Sequence, residues 1–328
     1  MFFKINLKSM KKYKILLITI LFSVTYANSQ CACCAGAATG SSGSFNNNNG
    51  LLTLEKRQLV LEDYVEYRNI NIKSQHIEEA RIEEDEETPL KSIFVNSLGV
   101  RYGITDKITI AASLPYVFLH TDSGNDNGLG DLMVIGTFNA YSKNNFNIAL
   151  QGGLELPTGI QKGSNFDNTT VVVGSGSFDP MVGLLFSKRW ENNIALQGNG
   201  TFKYTTNGFK GNYYGNISVQ NVTFSYRIKE IKKKADLISN DTQYKIIETN
   251  YRWTVFGGYY GEWLDKIRED GSVDEDSGYY LGFLNIGTNF NYDSWSFPLT
   301  LSLPIIQDMN GEQNDAGIRL RIGVVKSF

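Results

Sequence analysis

The sequence predicts an all-β fold, a transmembrane up-and-down antiparallel β-barrel of about 12 strands, and three observations predict it. Segments of roughly ten to fifteen residues with alternating apolar and polar side chains recur from about Leu51 to the end. The links between them alternate short and long. An export signal stands at the N-terminus.

Composition agrees with this class. The 328 residues include 32 Gly, 18 Tyr and 19 Phe but only 6 Pro. Mean hydropathy is −0.24. A membrane strand shows an apolar side chain to lipid at every second position only, so a barrel crosses a bilayer without becoming hydrophobic on average.

The period-two pattern is clearest where Ile108, Ile110, Ala112, Leu114, Tyr116 and Phe118 share one face, opposite Lys107, Thr109, Ala111 and Ser113. Phe146, Ile148, Leu150, Leu154 and Leu156 oppose Asn147, Gln151 and Glu155 in the same way. Near the end, Ile318, Leu320, Ile322 and Val324 alternate with Arg319 and Arg321. Strands are expected near 56–72, 92–104, 107–119, 129–142, 145–158, 177–190, 194–206, 215–228, 251–264, 279–292, 295–306 and 316–328. The first and eighth alternate poorly, and a bulge near Gln220 and Asn221 would account for the eighth.

Short links fall at Thr105-Asp106, Ser142 to Asn144, Glu191 to Asn193 and Asp293-Ser294. Long ones fall at 73–91, 120–128, 159–176, 207–214, 265–278 and 307–315. Short periplasmic turns and longer outer loops would put both termini inside. The link 229–250 breaks the parity, being long and charged where a short turn is due. It reads as an inserted turn with some helix, or as a place where the strand count fails.

Lys11, Lys12 and Lys14 precede the apolar run Ile15 to Val24, and Ala27, Asn28, Ser29 and Gln30 follow, with Met10 as an alternative start. That is a secretory signal over residues 1–30, too short to span a bilayer. Cleavage before Cys31 with lipidation is the alternative reading, although neither Asn28 nor Gln30 suits it. Residues 31–50 form a leader rich in Cys, Gly, Ser and Asn, and 51–328 form the barrel. Without residues 1–30 the chain keeps 26 basic against 34 acidic residues, which argues against a nucleic-acid partner. The expected partners are outer-membrane lipid, a small-molecule solute and, through the terminal aromatic Phe328, the barrel-assembly machinery.

Several ordered stretches carry a family likeness. Tyr102 to Lys107 leads into Ser113-Leu114-Pro115-Tyr116. Then come Gly128-Leu129-Gly130-Asp131-Leu132, Leu154 to Gly159, Leu303 to Gly311 and the closing Gly323 to Phe328. Over about residues 92–328 the chain resembles the MetA phenol-degradation family of outer-membrane proteins. The resemblance implies a transporter or channel for small molecules, apolar or aromatic ones included. The three-cysteine leader and the acidic stretch 78–87 depart from that pattern.

Candidate sites follow from residue chemistry. Cys31, Cys33 and Cys34 are the only cysteines. They could hold Cu(I) or another thiophilic metal, form a disulfide with one thiol left over, or, at Cys31, carry lipid. A copper-binding or structural barrel protein using this leader is therefore the alternative function. No other cofactor is implied. Glu78, Glu79, Glu83, Glu84, Asp85, Glu86 and Glu87 read as a solvated loop or a cation-gathering one.

Asp131, Glu155, Asp179, Arg189, Lys203, Arg252, Glu262, Arg319 and Arg321 fall on polar strand faces and should line the lumen. There they either tune passage or pair across the barrel and fill it. Tyr116, Trp190, Tyr204, Trp253, Tyr259, Trp263, Tyr292 and Trp295 read as interfacial girdles. Catalysis is not expected. His76 and His120 are the only histidines, and His120-Thr121-Asp122-Ser123 is the one hydrolase-like constellation.

Overall fold

The computed structural model describes residues 52–71, 90–121, 125–159, 173–237, 245–269, 271–311 and 313–328. The signal, the cysteine leader, His76 and the acidic stretch lie outside the described residues, as do Asp122 and Ser123.

The alternating segments become β1 (Leu59–Asn71), β2 (Leu90–Thr105), β3 (Ile108–Thr121), β4 (Asn125–Leu129), β5 (Leu132–Lys143), β6 (Phe146–Leu156), β7 (Asp179–Arg189) and β8 (Ile194–Lys203). They continue as β9 (Ile217–Leu237), β10 (Lys245–Leu264), β11 (Arg268–Glu269), β12 (Ser272–Val273), β13 (Tyr279–Tyr292), β14 (Trp295–Met309) and β15 (Asp315–Ser327). β11 and β12 form a small hairpin of their own inside a long loop. β4 and β5 share one place in the wall: both pair with β3, on either side of a break at Gly130 and Asp131. Sequential antiparallel pairing of the remaining strands, with β1 joined to both β2 and β15, closes a barrel of twelve. Closure satisfies the backbone groups that a sheet edge would leave bare in hydrocarbon.

Side chains sort by face as the alternation dictates. On β15, Ile318, Leu320, Ile322 and Val324 are exposed outward, whereas Arg319 and Arg321 between them point inward and are half-buried. Rings on the inner face nest over glycines. A Cβ on Gly287 would strike the Phe256 ring, and one on Gly323 the Tyr64 ring. Exposed aromatic side chains stand at the outward strand ends, Trp253, Tyr292 and Trp295 at one rim and Tyr204 and Trp263 at the other. Trp253 and Trp263 lie ten residues apart on β10. At about 3.3 Å per residue and a tilt of about 40°, that is a band about 25 Å tall, the height of a bilayer's apolar zone.

The short turns are tight for a local reason. Asn144 and Asn145 both have positive φ (52° and 58°), the pattern of a type I′ hairpin turn, and Asn193 and Asp293 adopt similar values.

Two expectations are corrected. The link 229–250 is neither helical in its described part nor a miscount. β9 and β10 simply continue as one hairpin, paired as far as Leu237↔Lys245, beyond the apolar zone. The irregularity in the eighth segment is not at Gln220 and Asn221, which pair regularly with Gly261 and Tyr260. It lies at Ile228, skipped between Trp253↔Lys229 and Thr254↔Arg227.

Candidate functional site: the lumen

The inner face changes character along the barrel. Near the long-loop end it is apolar. Ile93, Val95, Val117 and Leu119 pack with Val173 from the loop after β6. Across the barrel Ile217, Val219, Tyr260, Leu264, Leu281 and Phe283 form a second cluster. Asp131, fully buried at the β4–β5 break, accepts from the backbone N–H of Gly159 (2.8 Å) and Ser175 (2.5 Å) and from the Ser175 hydroxyl (2.7 Å). The two described ends of the β6–β7 link, at Gly159 and Ser175, are thereby tied to one carboxylate. Tyr213, in the loop before β9, donates to Asp265 (3.1 Å). Burial and that carboxylate push its phenol up to about 12, so it stays a donor.

Beside these clusters lies a charged tier. Lys203 Nζ sits 2.9 Å from Glu155 Oε1 and 3.7 Å from Asp179 Oδ2. Arg319 reaches Glu262 (3.2 Å) with its guanidinium 4.1 Å above the Phe283 ring. Tyr260 and Tyr279 also donate to Glu262 (2.8 and 2.6 Å). Glu66 accepts from Arg68 (2.5 Å) and lies 3.7 Å from Arg321, which in turn covers the Tyr64 ring at 4.4 Å. Buried charges persist only when paired in this way.

At mid-height the inner residues are small or neutral: Gly99, Ala111, Ser113, Gly183, Asn199 and Ser302 all face inward and all are half-exposed. Towards the short-turn end Arg101 donates to Glu62 (2.5 Å). Opposite, a cavity of about 220 Å³ is bordered by Arg189, Arg227 and Arg252. The segment before β1 also enters this end. Thr53 donates to the Asp106 carbonyl (2.9 Å), Leu54 N–H donates to Thr109 Oγ1 (2.8 Å), and Leu52 packs on Ala149 and Leu185 of β6 and β7. It partly crosses the mouth.

No family model and no curated protein matches the chain. Among solved structures it is similar to the COG4313 outer membrane channel from Pseudomonas putida F1, with a TM-score of 0.58 and 14% identity over 84% of this chain and 97% of that one. The barrel matches bacterial outer-membrane proteins in fold. LpxR from Salmonella typhimurium (TM-score 0.41, 8% identity, 81% of this chain and 99% of that one) lies further off. The Pseudomonas putida toluene transporter TodX (TM-score 0.39, 10% identity, 92% and 95%) does so too, and only the first likeness bears on the fold.

All nine charged residues singled out in the sequence sit on the inner face, and they fall into separate groups. Asp131 is a loop clamp, Glu155, Asp179 and Lys203 form one ion cluster, and Glu262, Arg319 and Arg321 belong to another. Arg189 and Arg252 border the cavity at the other end. Sequence reasoning missed Glu62, Glu66, Arg68, Arg101 and Arg227. Glu62, Glu66 and Arg68 share the parity of Val60 and Tyr64, which would have placed them inside. That parity was hidden by Asp63, which faces outward and is held by Asn96 Nδ2 (2.6 Å). His120 also faces outward and contacts Asn125, away from the lumen.

Proposed function

We propose that the protein is a channel for small molecules in a bacterial outer membrane, its short turns on the periplasmic side. One observation carries this reading. Inner-face residues at mid-height, from Gly99 on β2 to Ser302 on β14, keep half-exposed surface although the wall around them is closed, so water reaches them along the axis. A barrel with a purely structural role would have its interior filled, as eight strands already allow. The residues at this middle height are small or neutral, in keeping with a polar, wet interior.

The apolar inner face at the long-loop end agrees in character with solutes that have apolar bodies, although its clusters are themselves packed shut, Val95 at 1% and Phe283 at 0% exposure. The resemblance to the MetA phenol-degradation family points the same way, towards small apolar or aromatic molecules. The COG4313 protein is described as an outer membrane channel, which agrees in kind. The purified barrel in a planar bilayer should give discrete conductance steps, and liposomes containing it should take up small solutes. A protein that inserts yet passes neither ions nor any solute tested would reject the reading.

A further inference from the structure

We propose that the outer wall at β1 and β2 is the interface of a twofold dimer within the membrane, a second copy of this chain covering the polar pair Asp63 and Asn96.

Both residues face outward. Asp63 shares the parity of the exposed Leu61 and Tyr67 on β1, and Asn96 that of the exposed Phe94 and Leu98 on β2. Asn96 Nδ2 donates to Asp63 Oδ1 at 2.6 Å. Their depth follows from the register. Asp63 is four residues from Leu59, which pairs with the exposed Tyr102 near the short-turn end, and four from Tyr67 towards the other rim. At about 3.3 Å per residue and a tilt of about 40°, the carboxylate stands about 10 Å from either level, in the middle of the apolar zone. Its outward neighbours there are apolar on every side: Leu61 and Val65 along the strand, Val324 on β15 and Leu98 on β2.

Acyl chains offer this pair nothing to bond to, and polar groups turned to lipid at mid-bilayer are costly unless another polar group meets them. Water from the lumen does not reach the carboxylate, because β1 is paired without a break to β15 and β2 from Val60 to Arg68. The nearest outward-facing polar groups of the same chain are turned elsewhere. Lys326, opposite Leu61, contacts Ser294 and stands 4.7 Å over the Trp295 ring, and Tyr116, opposite Asn96, donates to Asn127. A group from another molecule has to complete the site.

A second copy supplies it at the right depth. All copies cross the membrane in one orientation, so a twofold axis along the bilayer normal sets the same residues face to face at one level. The set is self-complementary. Asp63 keeps an acceptor oxygen, and the second N–H of Asn96 reaches only the Tyr64 carbonyl at 3.4 Å, a long contact that a carboxylate across the axis displaces. Each carboxylate is then held by the amides of both copies. Lys326 at the short-turn edge of the same wall brings one positive charge per copy, so the joined walls carry no net charge from these residues. Leu61, Leu98 and Val324 pack around the polar centre, and a polar pair within an apolar interface fixes its register as a buried Asn does between helices.

Sedimentation equilibrium of the full-length protein in density-matched detergent micelles tests the interface. A reversible dimer is expected, and Asp63→Leu and Asn96→Leu should each raise its Kd at least tenfold while the barrel still folds, as heat-modifiable migration on gels reports. A disulfide test in lipid vesicles does not depend on those variants. With Cys31, Cys33 and Cys34 changed to Ser, Val65→Cys should form linked dimers on oxidation, whereas Phe224→Cys on the opposite wall should not. A protein that is monomeric at every concentration would overturn the proposal. So would a dimer whose Kd is unchanged in both folded variants, or linkage through Phe224→Cys and not Val65→Cys. The channel reading fails separately: conductance by a monomeric barrel removes the interface and keeps the channel, and a dimer that passes nothing does the reverse.

Discussion

Lys203 on β8 donates to Glu155 on β6, reaching past β7, which lies between them in the wall. Asp179 on β7 stands 3.7 Å from the same ammonium, so one lysine answers two buried carboxylates. The second oxygens of Glu155 and Asp179 have no hydrogen bond among the described residues. The pairing holds three neighbouring strands at one level while leaving a residual negative charge on the inner face.

Lys203→Met should therefore be among the costliest single changes in the barrel. Removing one member of a buried ion pair strands its partner, at about 3–5 kcal/mol. Urea unfolding in lipid vesicles, followed by tryptophan fluorescence, should show that loss. Adding Glu155→Gln should return part of it, because the stranded charge is then gone. A Lys203→Met barrel as stable as the parent would show that the pair is already solvated.

The alternation made β3 and β15 legible because lipid and water both act on them along most of their length. Large apolar residues such as Ile110 and Ile322 must face outward, and Thr109 and Arg321 cannot. The pattern failed where one of the two solvents is missing. Near the long-loop end of β9, Ile217 and Val219 point inward beneath the loops while Ser218 and Gln220 face outward, which inverts the expected polarity. The β9–β10 pairing also runs on through Lys232 to Lys234, whose charge read as a link in the sequence and whose backbone is a paired strand in the structure. The cavity was half legible. Arg189 and Arg252 stood out, but Arg227 closes a poorly alternating segment, and only the register of β7 to β10 puts the three together.

The segment before β1 should act as a constriction. Leu54 is buried among Val60, Tyr64 and Val325, and the Glu55 carbonyl lies directly against Gly103 of β2. Leu54→Ala removes buried contacts worth about 2–5 kcal/mol, and Gly103→Val drives a side chain into that carbonyl. Both variants should release the segment and raise single-channel conductance, while the unfolding midpoint of the barrel moves little. Equal conductance in parent and variants would mean that the solute path bypasses this end of the lumen.

Ring-over-glycine nesting makes a different prediction, one about packing alone. Gly287 lies beneath the Phe256 ring with the Leu299 carbonyl close by, so Gly287→Val must displace one or the other. Overpacking of this kind costs about 1–3 kcal/mol. Phe256 also borders the cavity. The double change Gly287→Val with Phe256→Ala should then be less destabilising than the sum of the two single changes. Additive costs in a double-mutant cycle would show that ring and glycine are uncoupled.

Asn285 and Ile286 are neighbours on β13 that face opposite solvents, so they separate lumen from lipid at one height. Ile286 is 50% exposed on the outer face, whereas Asn285 is half-exposed on the inner one. Ile286→Arg places a guanidinium against acyl chains and should cost about 2–4 kcal/mol of stability in a bilayer if it lies near the midplane. Asn285→Arg places the same group in a watery lumen. It should leave the unfolding midpoint nearly unchanged and shift the reversal potential in a salt gradient towards anion preference. The contrast depends on the inside of the barrel being wet, because a dry interior would penalise Asn285→Arg as severely as its neighbour and leave no current whose selectivity could change.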